Sequence, residues 1–172
     1  AGSSSRGPWP AANCRLYLLT ACRPDLEDFL EAAIAGGVDI VQIRDRQLSD
    51  AALLEELATA RAVTARHRVQ LVVNDRPDLA RELRCDGVHV GQEDASYAES
   101  RAIAGKDPIV GFTCHDARQL QMEAVQPVAT DVAFGPSSPT ATNGDKARPG
   151  PDALRRGVSG VVFPVVVAVA DT

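Results

Sequence analysis

The chain has no apolar run long enough to cross a membrane. The apolar stretch Val161 to Val169 is short and contains Pro164, against the roughly 20 residues that a transmembrane helix needs. A basic balance is also missing. The net charge of −5 over 172 residues argues against a general nucleic-acid binder, which needs a basic face; a local basic pocket for anionic metabolites stays open. The four cysteines, Cys14, Cys22, Cys85 and Cys114, form no CxxC pair and no zinc spacing with the three histidines. They read as free thiols of a reducing cytoplasm. The opening AGSSSRGPWP lacks the apolar core of a signal peptide. Residues 1–12 are expected to be a disordered leader, followed by a single domain over 13–172.

What is present is an alternation of short apolar runs and amphipathic segments. With 45% hydrophobic and 24% charged residues the composition is that of an ordinary soluble domain. Strands are predicted at Arg15–Thr20, Asp39–Arg44, Gln70–Val73, Gly87–Val90, Pro108–Thr113, Thr130–Gly135 and Phe163–Val169. Helices are predicted at Asp25–Ala35, ended by Gly36-Gly37, and at Ser49–Arg66, opened by Ser49. Further helices are expected from Pro77, over Ser96–Ala104 and over Asp116–Val125. Alternating β and α with Val- and Ile-rich strands gives a parallel sheet covered by helices. A dinucleotide-binding sheet would need GxGxxG after its first strand, and Leu19-Thr20-Ala21-Cys22-Arg23 has none. The strand repeat and the polar residues at the strand ends favour a (β/α)8 barrel. About seven strands are countable, so the barrel is expected to be incomplete, with its eighth strand missing and its first and seventh strands as unpaired edges.

The stretch Leu71 to Asp94, LVVNDRPDLARELRCDGVHVGQED, carries the first chemical signal. Its two strands are parallel, so Asp75 and Asp94 leave the same edge of the sheet. Neighbouring strands lie about 4.8 Å apart, close enough for two carboxylates to share one hard cation. Mg²⁺ takes oxygen ligands, usually one or two carboxylates beside substrate phosphates. Each aspartate is equally suited, taken alone, to cap the helix that follows it.

The runs RLYLLT, AAIAGGVDIVQIRDR, LVVNDRPDLA, DGVHVGQED, IVGFTCHD and FGPSSPTAT together resemble the thiamine-phosphate synthase family over residues 15–169. That family is a (β/α)8 barrel which joins a pyrimidine diphosphate to a thiazole phosphate and releases pyrophosphate. The resemblance implies a cytoplasmic, Mg²⁺-dependent transferase acting on small molecules, without nucleic acid or membrane partners and with self-association left open. It implies that Gln42, Ile43, Arg44, Asp45 and Arg46 form the pyrimidine-diphosphate segment, with Asn74 a further ligand and Asp75 and Asp94 holding the metal. Arg46 stands where the family usually has lysine. Thr113 stands in place of a serine that hydrogen-bonds the diphosphate, and with Arg44 it takes the catalytic role. Thr140, Ala141 and Thr142 resemble the thiazole-phosphate segment. The implied chemistry is dissociative, with catalysis by positioning and charge stabilisation.

Three departures accompany the likeness. Asn143 replaces the lysine that follows the Thr-x-Thr segment, with Lys146 and Arg148 near it in sequence. Ala170-Asp171 replaces a Gly-Gly turn that presents backbone N–H groups to phosphate. The eighth strand is absent. An inactive paralogue that binds a phosphorylated ligand and a thiazole tautomerase-like relative are therefore the rival readings. His89 is expected in the barrel interior as a satisfied core residue, and His115 at the pocket or at a helix start.

Overall fold

The computed structural model describes residues 16–91, 97–114, 131–134 and 168–170. In chain order these form β1 (Tyr17–Thr20), α1 (Leu26–Ala35), β2 (Ile40–Ile43), α2 (Asp50–His67), β3 (Gln70–Asn74) and α3 (Pro77–Glu82). They continue with β4 (Gly87–Val90), α4 (Tyr97–Ala104), β5 (Ile109–Cys114), β6 (Asp131–Phe134) and β7 (Ala168–Ala170). The helix expected at Asp116–Val125 lies outside the described residues.

All strand pairs are parallel, and the sheet order is β6-β5-β4-β3-β2-β1-β7. One expectation is corrected here. The first strand is no edge, because Tyr17, Leu18 and Leu19 pair with Ala168, Val169 and Ala170. The backbone groups on the outer side of β1 thus find a partner, and among the described strands the two ends of the sheet are β6 and β7.

Alternation sorts the strand side chains between two faces. Leu18, Val41, Ile43, Leu71, Val73, Val88, Val90 and Val110 point to the helices and join Leu26, Leu30, Leu53, Leu57 and Val63 in the main core. Tyr17, Ile40 and Val72 form a smaller cluster on the opposite, inner face. The helices follow from their sequences. In α2 the buried residues Leu53, Leu57, Ala60, Val63 and Thr64 recur at helical spacing, and Ser49 Oγ accepts from Ala52 N at 3.4 Å as the expected cap. In α1 Asp25 makes no side-chain cap and pairs with Arg23 instead, at 2.6 Å. Gly36 closes that helix and Gly37, at φ 103°, takes the left-handed turn that only glycine adopts freely.

At the N-terminal edge of the sheet two carboxylates complete the strand starts. Asp39 Oδ2 accepts from Leu16 N at 3.1 Å, and Asp86 Oδ2 from Leu71 N at 3.0 Å. Arg61 approaches Asp86 at 3.6 Å. These acids serve the backbone and stand at the end of the barrel wall opposite Asp75.

Candidate active site

The C-terminal ends of β2, β3 and β4 gather the polar residues. Gln42 lies on the inner face, 5% exposed, and its Nε2 has no hydrogen-bond partner among the described residues. A buried amide without a partner is costly, so this N–H₂ group is a ready donor for a bound molecule. Arg44 N donates to Thr20 O at 2.9 Å, which extends the ladder by one residue and returns the Arg44 side to the inner face. Ile43, between them, is 1% exposed and packs in the helix-facing core; it offers a site only its backbone.

Asn74 ends β3 on the inner face, in register with His89 of β4. His89 is 7% exposed, in the interior position expected of it. Burial, with the nearby Arg44 cation adding to it, pulls the imidazole down to about 4, so it is neutral near pH 7. Gln42, Arg44, Asn74 and His89 thus form one polar band above the apolar Tyr17–Ile40–Val72 cluster.

Asp75 follows at φ 60°, a left-handed conformation that Asp tolerates better than most residues. Its N–H donates to His89 O at 2.8 Å, which ties the turn to β4. The N-cap position of α3 falls to Arg76 rather than to Asp75, and no side chain caps that helix. Arg76 itself reaches Asp50 at 2.5 Å and Asp78 at 2.7 Å. Those two carboxylates hold its guanidinium well above the usual range, and Arg76 in turn holds the Asp78 carboxyl low.

The structure brings together two residues that the sequence assigned to separate ligands. Arg46 Nη2 and Nε donate to the same oxygen, Asp75 Oδ2, at 2.6 and 3.0 Å. The Asp75 side chain is 16% exposed and that of Arg46 59%. Asp75 therefore presents a hard carboxylate oxygen, already facing a cation, at the sheet edge. That donor suits Mg²⁺, which needs only one or two carboxylates when phosphates supply the rest. Among the described residues no group of three or more His, Cys, Asp and Glu side chains could hold a metal. Asp45 acts locally, its Oδ1 accepting from Gln47 N at 2.9 Å and from Leu48 N at 3.1 Å. This turn shapes the loop that carries Arg44 and Arg46.

Thr113 lies near the end of β5, two residues beyond Gly111, which pairs with His89. Asp94, Thr140, Ala141, Thr142 and Asn143 lie outside the described residues, as do His115, Lys146, Arg148 and Asp171. Ala170 is the last residue of β7, opposite Leu19. Sequence reasoning missed Arg76, whose signal was its place between Asp75 and Pro77 at the start of a helix. It also missed Gly87. A Cβ there would stand 2.7 Å from Ile109 Cβ.

The family model for thiamine monophosphate synthase matches residues 16–170. A thiamine-phosphate synthase of Rhodospirillum centenum is 45% identical over 146 residues, covering 83% of this chain and 70% of the relative. One from Streptomyces avermitilis is 40% identical over 147 residues, covering 84% of this chain and 68% of the relative. Among solved structures, the thiamine phosphate pyrophosphorylase from Pyrococcus furiosus superposes with a TM-score of 0.79 at 28% identity, over 92% of this chain and 76% of that one.

Proposed function

The chain belongs to the thiamine monophosphate synthase family, and on that premise we propose that it makes thiamine phosphate from a pyrimidine diphosphate and a thiazole phosphate, releasing pyrophosphate. The observation that carries this reading is the polar band at the C-terminal edge. Gln42, Arg44 and Asn74 share the inner face of adjacent strands, and the Gln42 amide is buried without a partner. A heteroaromatic ring with acceptor nitrogens is a fitting occupant for that donor. Arg44 and Arg46 then lie on the side where a diphosphate would emerge, and a guanidinium matches phosphate geometry with paired N–H bonds.

Asp75, with Asp94 as its proposed companion, would hold Mg²⁺. When bound, that ion would neutralise charge developing on the departing pyrophosphate. The residues of the chain orient the two substrates, exclude water and place cations beside the leaving group. His89, being neutral, adds no charge to the band and can exchange hydrogen bonds without taking a proton. No nucleophilic side chain is required, because the thiazole nitrogen supplies the new bond as the diphosphate leaves. Thr113 and, at the position of the family's lysine, Asn143 are assigned to the diphosphate, and Thr140, Ala141 and Thr142 to the thiazole phosphate. The tautomerase-like reading is disfavoured, since proton transfer needs no carboxylate facing a diphosphate.

The test is pyrophosphate release by the whole chain given both substrates and Mg²⁺, beside Asp75→Ala and Gln42→Ala. Release that falls by more than about a hundred-fold in Asp75→Ala, the scale of losing a major electrostatic group, is the expected outcome. Gln42→Ala should raise KM for the pyrimidine substrate. A folded chain that releases no pyrophosphate would favour the inactive-paralogue reading.

A further inference from the structure

We infer that the Arg46 guanidinium holds the cation position at Asp75 and leaves it for the diphosphate, so that metal and diphosphate favour each other's binding. The inference rests on the reading of Asp75 as a metal ligand. Two N–H groups of Arg46 converge on one oxygen of Asp75, at 2.6 and 3.0 Å. A guanidinium held that close to the carboxylate opposes by charge a divalent cation on the same oxygen.

The two partners differ in freedom. Asp75 is anchored by its N–H bond to His89 O at 2.8 Å and by its left-handed backbone, with Arg76 beside it tied to Asp50 and Asp78. Its carboxylate is 16% exposed, whereas Arg46 is 59% exposed on a loop shaped by Asp45. Arg46 is therefore the part that moves. An ion pair this exposed opens readily. A diphosphate offers the guanidinium several oxygens in place of the single one it contacts on Asp75. Metal arrival frees Arg46 for the diphosphate, diphosphate arrival frees Asp75 for the metal, and the coupling factor must be the same in both directions.

The experiment titrates the full chain with Mn²⁺ as the Mg²⁺ surrogate, reading free Mn²⁺ by electron paramagnetic resonance without substrates. Arg46→Gln, an exposed position, should bind Mn²⁺ about three-fold more tightly than the parent chain, the scale set by an exposed ion pair. Arg46→Lys should fall between the two. Inorganic pyrophosphate, with its own metal complexation subtracted from a protein-free titration, should tighten Mn²⁺ binding in the parent chain and less so in Arg46→Gln. Equal or weaker Mn²⁺ binding by Arg46→Gln, while Asp75→Asn loses binding, overturns the counter-ion role and leaves the metal site standing. Undiminished Mn²⁺ binding by Asp75→Asn removes the metal-ligand reading itself, and the inference with it.

Discussion

A methyl group at Gly87 would stand 2.7 Å from Ile109 Cβ and 2.9 Å from Ile109 O, so β4 and β5 must part to admit it. Gly87→Ala should cost about 1–3 kcal/mol, the range for overfilling a packed site, read as a lower urea midpoint with an unchanged slope. The second residue-scale prediction concerns His89. Its imidazole is lowered from 6.5 to about 4 by burial and by Arg44. Between those values the unfolded chain binds a proton that the folded chain refuses. Stability is therefore complete above about pH 6.5 and declines as the pH falls toward 4, by roughly 3 kcal/mol across the window. His89→Gln should flatten that decline relative to the parent chain in urea melts at pH 7 and pH 5. The thiols of Cys22 and Cys85 behave oppositely to reactive cysteines. Burial, with Asp45 and Glu56 adding at Cys22, pushes both Cys22 and Cys85 up to about 12.

Elements are joined by charges that the pattern of apolar residues does not show. Asp86 completes the start of β3 by accepting from Leu71 N, a fully buried position. Asp86→Ala strands that N–H and leaves Arg61 without its acid. The expected loss is about 2 kcal/mol, the cost of one buried unsatisfied donor, measurable by chemical denaturation. An unaltered midpoint would mean that another acceptor had replaced the carboxylate. Helices α1 and α2 are bridged by Arg66, which reaches Glu27 at 2.8 Å and Glu31 at 2.7 Å. All three are exposed, so this bridge adds little, and the α1–α2 contact rests on Leu30, Leu53 and Leu57 in the core.

For the whole molecule, the decisive feature is the pairing of β7 with β1. It places β1 inside the sheet, so its amides should exchange as slowly as those of β3. Hydrogen exchange resolved to single residues tests this at Leu19, whose backbone groups face β7 because those of Leu16 and Thr20, on alternate residues, accept from β2 and its extension. Exchange of the Leu19 amide at the rate of an exposed edge would refute the pairing of Leu19 with Ala170. The same wall divides labour between its ends. Asp39 and Asp86 satisfy backbone at the N-terminal edge, whereas Gln42, Arg44, Asn74 and Asp75 stand at the C-terminal edge where barrel enzymes carry their chemistry. No helix among the described residues is long and apolar enough to cross a membrane.

Much of this was determined by local pattern. The bounds of β4, Gly87–Val90, follow from its apolar run, and Ser49 caps α2 because a hydroxyl at that position meets a free N–H. The inner placement of Gln42 and Asn74 follows from strict strand alternation. The family was legible in the spaced motifs, whose order survives without any contact being known. Pairing partners were not. Which strand covers β1, and that Arg46 meets Asp75 across 29 residues of chain, depend on long-range geometry. A side chain reports its own preference in sequence, but an ion pair needs two backbones brought to within a few ångströms, and only the folded sheet does that.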